Sequence, residues 1–423
     1  MKKQKKASNW NIAFYLAVRQ IKHASIWTTS LIVAVMMLTF LNLVVVNGIL
    51  VGLIQSSIEA SQDRYSGDII ISTLRQKAII ENSADIERVL RNIPNVTDVV
   101  PRILAGGSVN ADYRRLLRQE ETPNAANATI GGIVPSQEDK ATGLSKYVIE
   151  GSYLDDADKD GVLVGAFLIK ELTPIDAVGF TQLREVKIGD RVKLTVGENS
   201  KEVYIRGILK SKIDNIDARV IMVQSELRKL IGRSDVNVSE IAVKLTPGST
   251  EADAVRVKHI LEANGYEYSA KIQTAEEAQP KFLKDMKDLF GLLGTLMGSI
   301  GLVVASITVF IVIFVNTLTR RKFIGILKGI GISSRSIEYS YIIQSAFYAV
   351  AGALVGMLIL YGFLVPFIDA HPINFPFSDG ILYAPLGGTL TRVCALFVTT
   401  IIAGYIPARM IVGKNTLDSI LGR

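Results

Sequence analysis

With 423 residues, 49% of them hydrophobic and only 21% charged, the chain is too apolar for a soluble protein of its length, which usually carries about 25% charged residues. The formal net charge of +7 lies largely beside the apolar stretches, a placement that fits membrane orientation and not nucleic-acid binding. A single cysteine, Cys394, excludes a disulfide framework and a multi-cysteine metal site.

Residues 1–25 are basic and read as a cytoplasmic N-terminal helix leading into the first apolar window, 26–54. That window contains "LIVAVMMLTFLNLVVVNGILVGLI" and is long enough to cross a hydrocarbon core of about 30 Å. It exceeds the ~7–15 apolar residues of a cleaved signal and no small-x-small site follows, so it is predicted to be an uncleaved span. Residues 55–282 then have ordinary soluble composition, ample for a domain with its own core. "GDIIIST" predicts a strand, "ADIERVLRNI" an amphipathic helix and "VTDVVPRILA" a second strand. The same order recurs at 239–272, which predicts a split α+β subdomain built from 66–135 and 236–275. Residues 136–235 are rich in strand patterns ("GVLVG", "DRVKLTV", "KEVYIRGIL", "ARVIMVQ") and predict a second, mostly β subdomain. The polar stretch 114–128 reads as a mobile loop. "AEEAQPKFLKDMKDLFGLL" repeats Phe282, Met286, Leu289 and Phe290 at helical spacing, either a helix continuing into the membrane or a short interfacial one.

Three more windows follow at 289–318, 341–368 and 384–412, so the predicted fold is a four-span α-helical bundle with a large α+β domain inserted between spans 1 and 2. Lys2, Lys3, Lys5, Lys6, Arg19 and Lys22 precede span 1; Arg320, Arg321, Lys322, Lys328 and Arg335 lie between spans 2 and 3; Arg409, Lys414 and Arg423 close the chain. The 369–383 loop between spans 3 and 4 has no lysine or arginine and is rimmed by Tyr361, Phe363, Phe367, Phe375, Phe377 and Tyr383. The bias predicts that both termini, the 319–339 loop and the 413–423 tail are cytoplasmic in a cell membrane, with 55–282 and 369–383 on the other side.

Catalytic signatures are missing from the sequence. There is no G-x-x-x-x-G-K-[ST] and no H-E-x-x-H, and His23, His259 and His371 are scattered, so neither a nucleotide, a metal nor another cofactor is expected on this chain. No charged residue falls near the middle of a span, which speaks against an ion-coupled transporter. Gly291, Gly294, Gly298 and Gly301 in span 2, with Gly352 and Gly356 in span 3, form small-x-x-x-small patterns that suit either packing within the chain or a dimer contact.

The stretch "TLTRRKFIGILKGIGISSRSIEYS", residues 317–340, predicts a short helix, a glycine break and the start of span 3. Phe323, Ile324, Ile326, Leu327 and Ile330 give it an apolar face, flanked by Arg320, Arg321, Lys322 and Lys328. Such a helix would suit a membrane surface or a protein groove. Its sequence resembles the coupling-helix motif of the FtsX-like permease family of ABC transporters, close to R-R-x-E-I-G-I-L-K-A-I-G-A-S. "NIAFYLAVRQIKHASIWTTSL" is similar to the family's elbow helix, and "YIPARMIVGKNTLDSIL", with Pro407, Ala408 and Arg409, to its C-terminal motif. The large insert resembles the periplasmic core domain of MacB and of the lipoprotein-releasing LolC and LolE subunits. Phe323 departs from the pattern where an acidic residue is common, and Asn415-Thr416 stand in place of the usual Asp-Pro.

The resemblance implies a non-enzymatic permease subunit, with ATP and Mg bound by a separate cytoplasmic ATPase. It also implies a second permease subunit, identical or a paralogue, and leaves room for a periplasmic adaptor, carrier or membrane-fusion protein. The expected role is mechanotransmission: ATPase closure pushes the 320–333 helix, and spans 1 and 2 carry the motion to the outside domain. That role would serve lipoprotein release or export of a lipid, peptide or hydrophobic compound. Two alternatives stay open, an FtsX-like regulator of extracytoplasmic cell-wall hydrolases and an ATPase-independent receptor. The contact face is expected to be Phe323, Ile324, Ile326 and Leu327, with Arg321, Lys322 and Lys328 as polar contacts.

Overall fold

A computed structural model describes residues 9–114, 122–173, 181–375 and 379–413. The N-terminal lysines, most of the 413–423 tail, residues 115–121 of the expected mobile loop, and Phe377 lie outside the described residues. The chain forms two compact units: residues 1–55, 285–374 and 379–423 make one, and residues 56–284 with 375–378 the other.

The first unit is helical. Helix α1 (Asn9–Lys22) precedes α2 (Ile26–Ser66), one unbroken helix of 41 residues. Among the described residues, four helices are long and apolar enough to cross a membrane: α2, Lys281–Thr319, Ser334–Ala370 and Leu386–Val412. The segment before residue 289 therefore belongs to one 39-residue helix, not to a separate interfacial one.

Glycines set how closely these helices approach. A Cβ on Gly294 would lie 2.5 Å from Asn47 Nδ2, one on Gly298 2.9 Å from Leu43 Cδ2, and one on Gly301 2.9 Å from Asn42 Oδ1. As the glycine numbers rise, their partners on α2 fall, so Lys281–Thr319 runs antiparallel to α2. Gly352 and Gly356 meet Met36 and Phe40 of the same helix, with Cβ distances of 2.3 and 2.4 Å, in parallel order. Gly404 approaches Ser345, and Thr400 donates to Met36 Sδ, which sets Leu386–Val412 antiparallel to both. The small-residue patterns thus serve packing within the chain. Gly291 is the exception, since a side chain there would meet nothing within 4 Å.

In the second unit, β1 (Ile69–Thr73), α3 (Ser83–Arg91) and β2 (Val96–Asn110) are followed by β3 (Ala125–Ile133) and α4 (Pro135–Thr142). Next come β4 (Val148–Gly151), β5 (Gly161–Gly165), β6 (Arg191–Val196), β7 (Asn199–Leu209), β8 (Arg219–Val223) and α5 (Gln224–Leu230). The unit ends with β9 (Glu240–Leu245), α6 (Glu251–Ala263) and β10 (Ala270–Thr274). Strands β10, β1, β9 and the first half of β2 make an antiparallel layer in which the two halves of the split subdomain pair. Ile69, Ile71, Ile241 and Val243 alternate onto the face covered by Ile86 and Leu90 of α3 and Val257 and Leu261 of α6. The second half of β2 joins β3, β8, β5, β7 and β6, and β6 pairs back onto β2. The ring closes, which removes edges, and is filled by Ile103, Ile130, Val162, Ile205 and Val220 among others.

Two expectations are corrected. The subdomain boundary falls inside β2, near Arg102, and not at residue 135: one 15-residue strand serves both sheets, and strand periodicity carries no mark where a strand changes partner. Residues 125–128 are strand, not loop: they pair with Gly107–Asn110 of β2, a partner that the local sequence does not reveal.

The glycine contacts predict that Gly352→Ala will lower the thermal midpoint of the full chain in detergent, at an overpacking cost of about 1–3 kcal/mol. Gly362→Ala, where a Cβ meets nothing within 4 Å, will leave it unchanged.

Candidate functional site

Between the second and third long helices, here α7 (Lys281–Thr319) and α9 (Ser334–Ala370), lies α8 (Arg321–Gly329). Its end is fixed by chemistry the sequence shows. Gly331 takes φ of +92°, Ile332 N donates to Leu327 O at 3.0 Å and Gly331 N to Lys328 O at 3.0 Å, a Schellman arrangement that needs a glycine at the left-handed position. Ser333 then caps α9, its side chain accepting from Ser336 N at 3.2 Å.

The apolar residues of α8 divide between two faces. Ile324 and Leu327 are buried in the helical unit's own core, with Ile337, Tyr341, Ala408 and Val412 in the same cluster. Such burial stabilises by about 1.5–3 kcal/mol for each side chain. Phe323, Ile326 and Ile330 are 57%, 53% and 71% exposed. Ile324 and Leu327 therefore cannot form part of a face offered to another protein; they are what seats the helix. Lys322 is exposed, but Lys328 donates to the backbone carbonyl of Val412, at the end of α10 (Leu386–Val412), so it ties two elements of the chain together. Burial pulls its ammonium below the ordinary lysine range. Arg320 and Arg321 are half-buried. Of the C-terminal motif, Pro407 and Ala408 are buried and Arg409 is exposed, its guanidinium 5.8 Å from the centre of the Tyr405 ring.

The second unit holds a charged cluster that no sequence pattern announced. Arg102, at the point where β2 passes from the open layer into the ring, donates to both oxygens of Glu138 on α4 at 2.7 Å and to Glu240 on β9 at 2.8 Å. Tyr65, next to the last residue of α2, donates to Glu240 at 2.5 Å and accepts from Arg219 of β8 at 2.7 Å. Both guanidinium carbons lie 4.9 Å from the centre of the Tyr65 ring. Arg102, Glu138 and Glu240 are almost fully buried. Burial by itself would lower the Arg102 pKa, but Glu138 and Glu240 outweigh it and raise it above the arginine range. A cavity of about 20 Å³ beside the cluster, lined by Tyr65, Arg102, Glu138, Asn215 and Arg219, has room for about one water.

Comparison with known proteins agrees with this architecture. The model of the MacB-like periplasmic core domain matches residues 28–258, more than half of the chain, and that of the FtsX-like permease C-terminal region matches residues 295–416. The chain belongs to the FtsX/MacB family of ABC transporter permeases. Among relatives, it is 25% identical over 280 residues to the uncharacterized ABC transporter permease MJ1507 of Methanocaldococcus jannaschii, covering 64% of this chain and 65% of that one. It is 28% identical over 170 residues to the ABC transporter permease YtrF of Bacillus subtilis, 37% of each chain. The chain thus spans less than two thirds of the length of either relative. The periplasmic region of MacB from Actinobacillus actinomycetemcomitans aligns at 13% identity, 50% of this chain and 90% of that one, with a TM-score of 0.34.

The Tyr65–Arg102 cluster is not legible in the sequence because its members are separated by up to 175 residues, and its arginines and glutamates each read alone as surface charges. Removing one partner of such a buried pair costs about 3–5 kcal/mol, whereas replacing both by apolar groups costs less. Glu138→Leu should therefore destabilise the full-length permease in urea denaturation more than the double variant Arg102→Met, Glu138→Leu.

Proposed function

We propose that α8 is the coupling helix through which a separate cytoplasmic ATPase drives this permease. The observation that carries the reading is its two-faced burial: Ile324 and Leu327 seat the helix in the bundle, while Phe323, Ile326 and Ile330 remain as an exposed apolar ridge beside exposed Lys322. Exposed apolar anchors on a rigidly seated helix suit a groove in a partner, because little conformational freedom is left to lose on docking. Lys328 on the Val412 carbonyl and the capped turn at Gly331–Ser333 keep the helix from yielding when pushed.

The proposed cycle is mechanical. Two permease subunits sit on two ATPases, which bind the ATP and Mg. Closure of the ATPases shifts α8, and the long helices α2 and α7 carry the shift to the inserted domain on the opposite side of a cell membrane. Both helices continue unbroken past their apolar stretches, α2 to Ser66 and α7 from Lys281. ATP drives the change only in so far as one permease state binds the closed ATPase pair more tightly. Cargo of the lipoprotein, lipid, peptide or hydrophobic class is then moved by the domain, alone or with an adaptor, without a conduit through the bilayer.

Ile326→Asp tests this reading. The variant should insert and melt like the parent, because Ile326 is exposed, yet retain about tenfold less ATPase on co-purification and lose permease-stimulated ATP hydrolysis. Leu327→Ala should instead lower the melting temperature, at a cost of about 2–5 kcal/mol. Full ATPase retention by the Ile326→Asp variant would refute the docking role.

A further inference from the structure

Arg392 is the single charged residue between Leu386 and Ala408, about 9 Å along the axis from the start of α10. A cation inside an apolar helix is costly and usually faces a partner that neutralises it. Arg392 is half-buried, and Nη2 donates to Oδ1 of Asn47 on α2 at 2.7 Å. Asn47 is buried, and Nδ2 donates onward to the Gly291 carbonyl of α7 at 3.2 Å. Among the described residues Asn47 is the one hydrogen-bond partner of Arg392, and no carboxylate lies within ion-pairing distance. An amide aims the guanidinium but brings no negative charge, and four of its five N–H donors remain to be used.

The surroundings are built, not incidental. α2 carries a π-helical turn at Asn42–Val46, directly before Asn47, and α9 carries another at Leu360–Leu364. Such turns concentrate at functional sites because they displace backbone from regular packing. The second holds Tyr361, whose hydroxyl lies 2.8 Å from Thr389 Oγ1, one turn before Arg392, and donates to the Ala384 carbonyl at 3.0 Å. The segment Ile381–Tyr383 lies across α2, with Tyr383 N donating to the Gly48 carbonyl at 3.1 Å and the Ile381 carbonyl only 2.1 Å from where a Gly52 Cβ would stand.

We infer that Arg392, aimed by Asn47, binds the phosphate of a phospholipid headgroup in the leaflet facing the Leu386 end of the bundle. No carboxylate among the described residues supplies the missing negative charge, and a lipid phosphate would. At roughly 9 Å below the helix start, a long arginine side chain reaches the headgroup level, and its planar fork matches phosphate oxygens. The site is independent of ATPase docking, which concerns the opposite end of α10.

Native mass spectrometry of the purified full-length chain, titrated with phosphatidylglycerol in detergent, reads the site directly. Arg392→Gln should retain lipid about tenfold less well than the parent, and Arg392→Lys should fall between them. Asn47→Asp supplies an internal carboxylate, so it should lose the lipid to a similar degree while melting no lower than the parent, which separates lost binding from misfolding. Unchanged lipid retention in both Arg392→Gln and Asn47→Asp would overturn the inference and leave Arg392 a clamp between helices. Protection by inorganic phosphate equal to that by the lipid would overturn the lipid assignment in favour of a free anion.

Discussion

The first long helix cannot shift without its neighbours. Gly294, Gly298 and Gly301 let α7 approach it on one side, and Gly352 and Gly356 let α9 approach it on another, at distances where a methyl group would not fit. Without water, helices in a bilayer associate mainly through such close packing. The contacts spread over α2 from Met36 to Asn47, so it is held along a length and not at a point. α8, joined in sequence to both α7 and α9, is therefore attached to helices that grip α2.

That constraint gives the division of α8 into two faces its meaning. A wholly exposed amphipathic helix would swing when pushed; a wholly buried one would offer nothing to push. Ile324 and Leu327 occupy the bundle core beside Ala408 and Val412, and the ridge of Phe323, Ile326 and Ile330 is left over. The C-terminal Pro-Ala-Arg motif gains a physical role from the same geometry. Its buried Ala408 belongs to the same apolar cluster as Ile324 and Leu327, and Val412, a turn later, accepts from Lys328. Within the second unit, Tyr65 is tied to Arg219 of β8 and Glu240 of β9, and Glu240 to Arg102 of β2, through charges that are costly to leave unpaired.

Much of this was legible in the amino-acid sequence, for identifiable reasons. The spans declare themselves by length and apolar content, the strands and helices of the insert by period, and the turn after α8 by its glycines. What stayed hidden depends on partners distant in sequence. Hydrophobic pattern alone marks Ile324, Leu327, Phe323 and Ile326 alike, and only the position of α10 distinguishes seat from ridge. β2 looks like one strand and is one, yet it serves two sheets. Arg392 shares the fourth apolar window with Arg409 and carries no mark of its own in the sequence; its significance requires Asn47, some 345 positions away, as its partner.

The proposed coupling requires α8 inside the cell and the inserted domain outside it. Single cysteines at Lys322, exposed on α8, and at Tyr268, 80% exposed in the domain, report this in a Cys394→Ala background. With a membrane-impermeant thiol reagent on intact cells, Tyr268→Cys should be modified at once and Lys322→Cys only after permeabilisation. Modification of Lys322→Cys in intact cells, with Tyr268→Cys protected, would contradict the account.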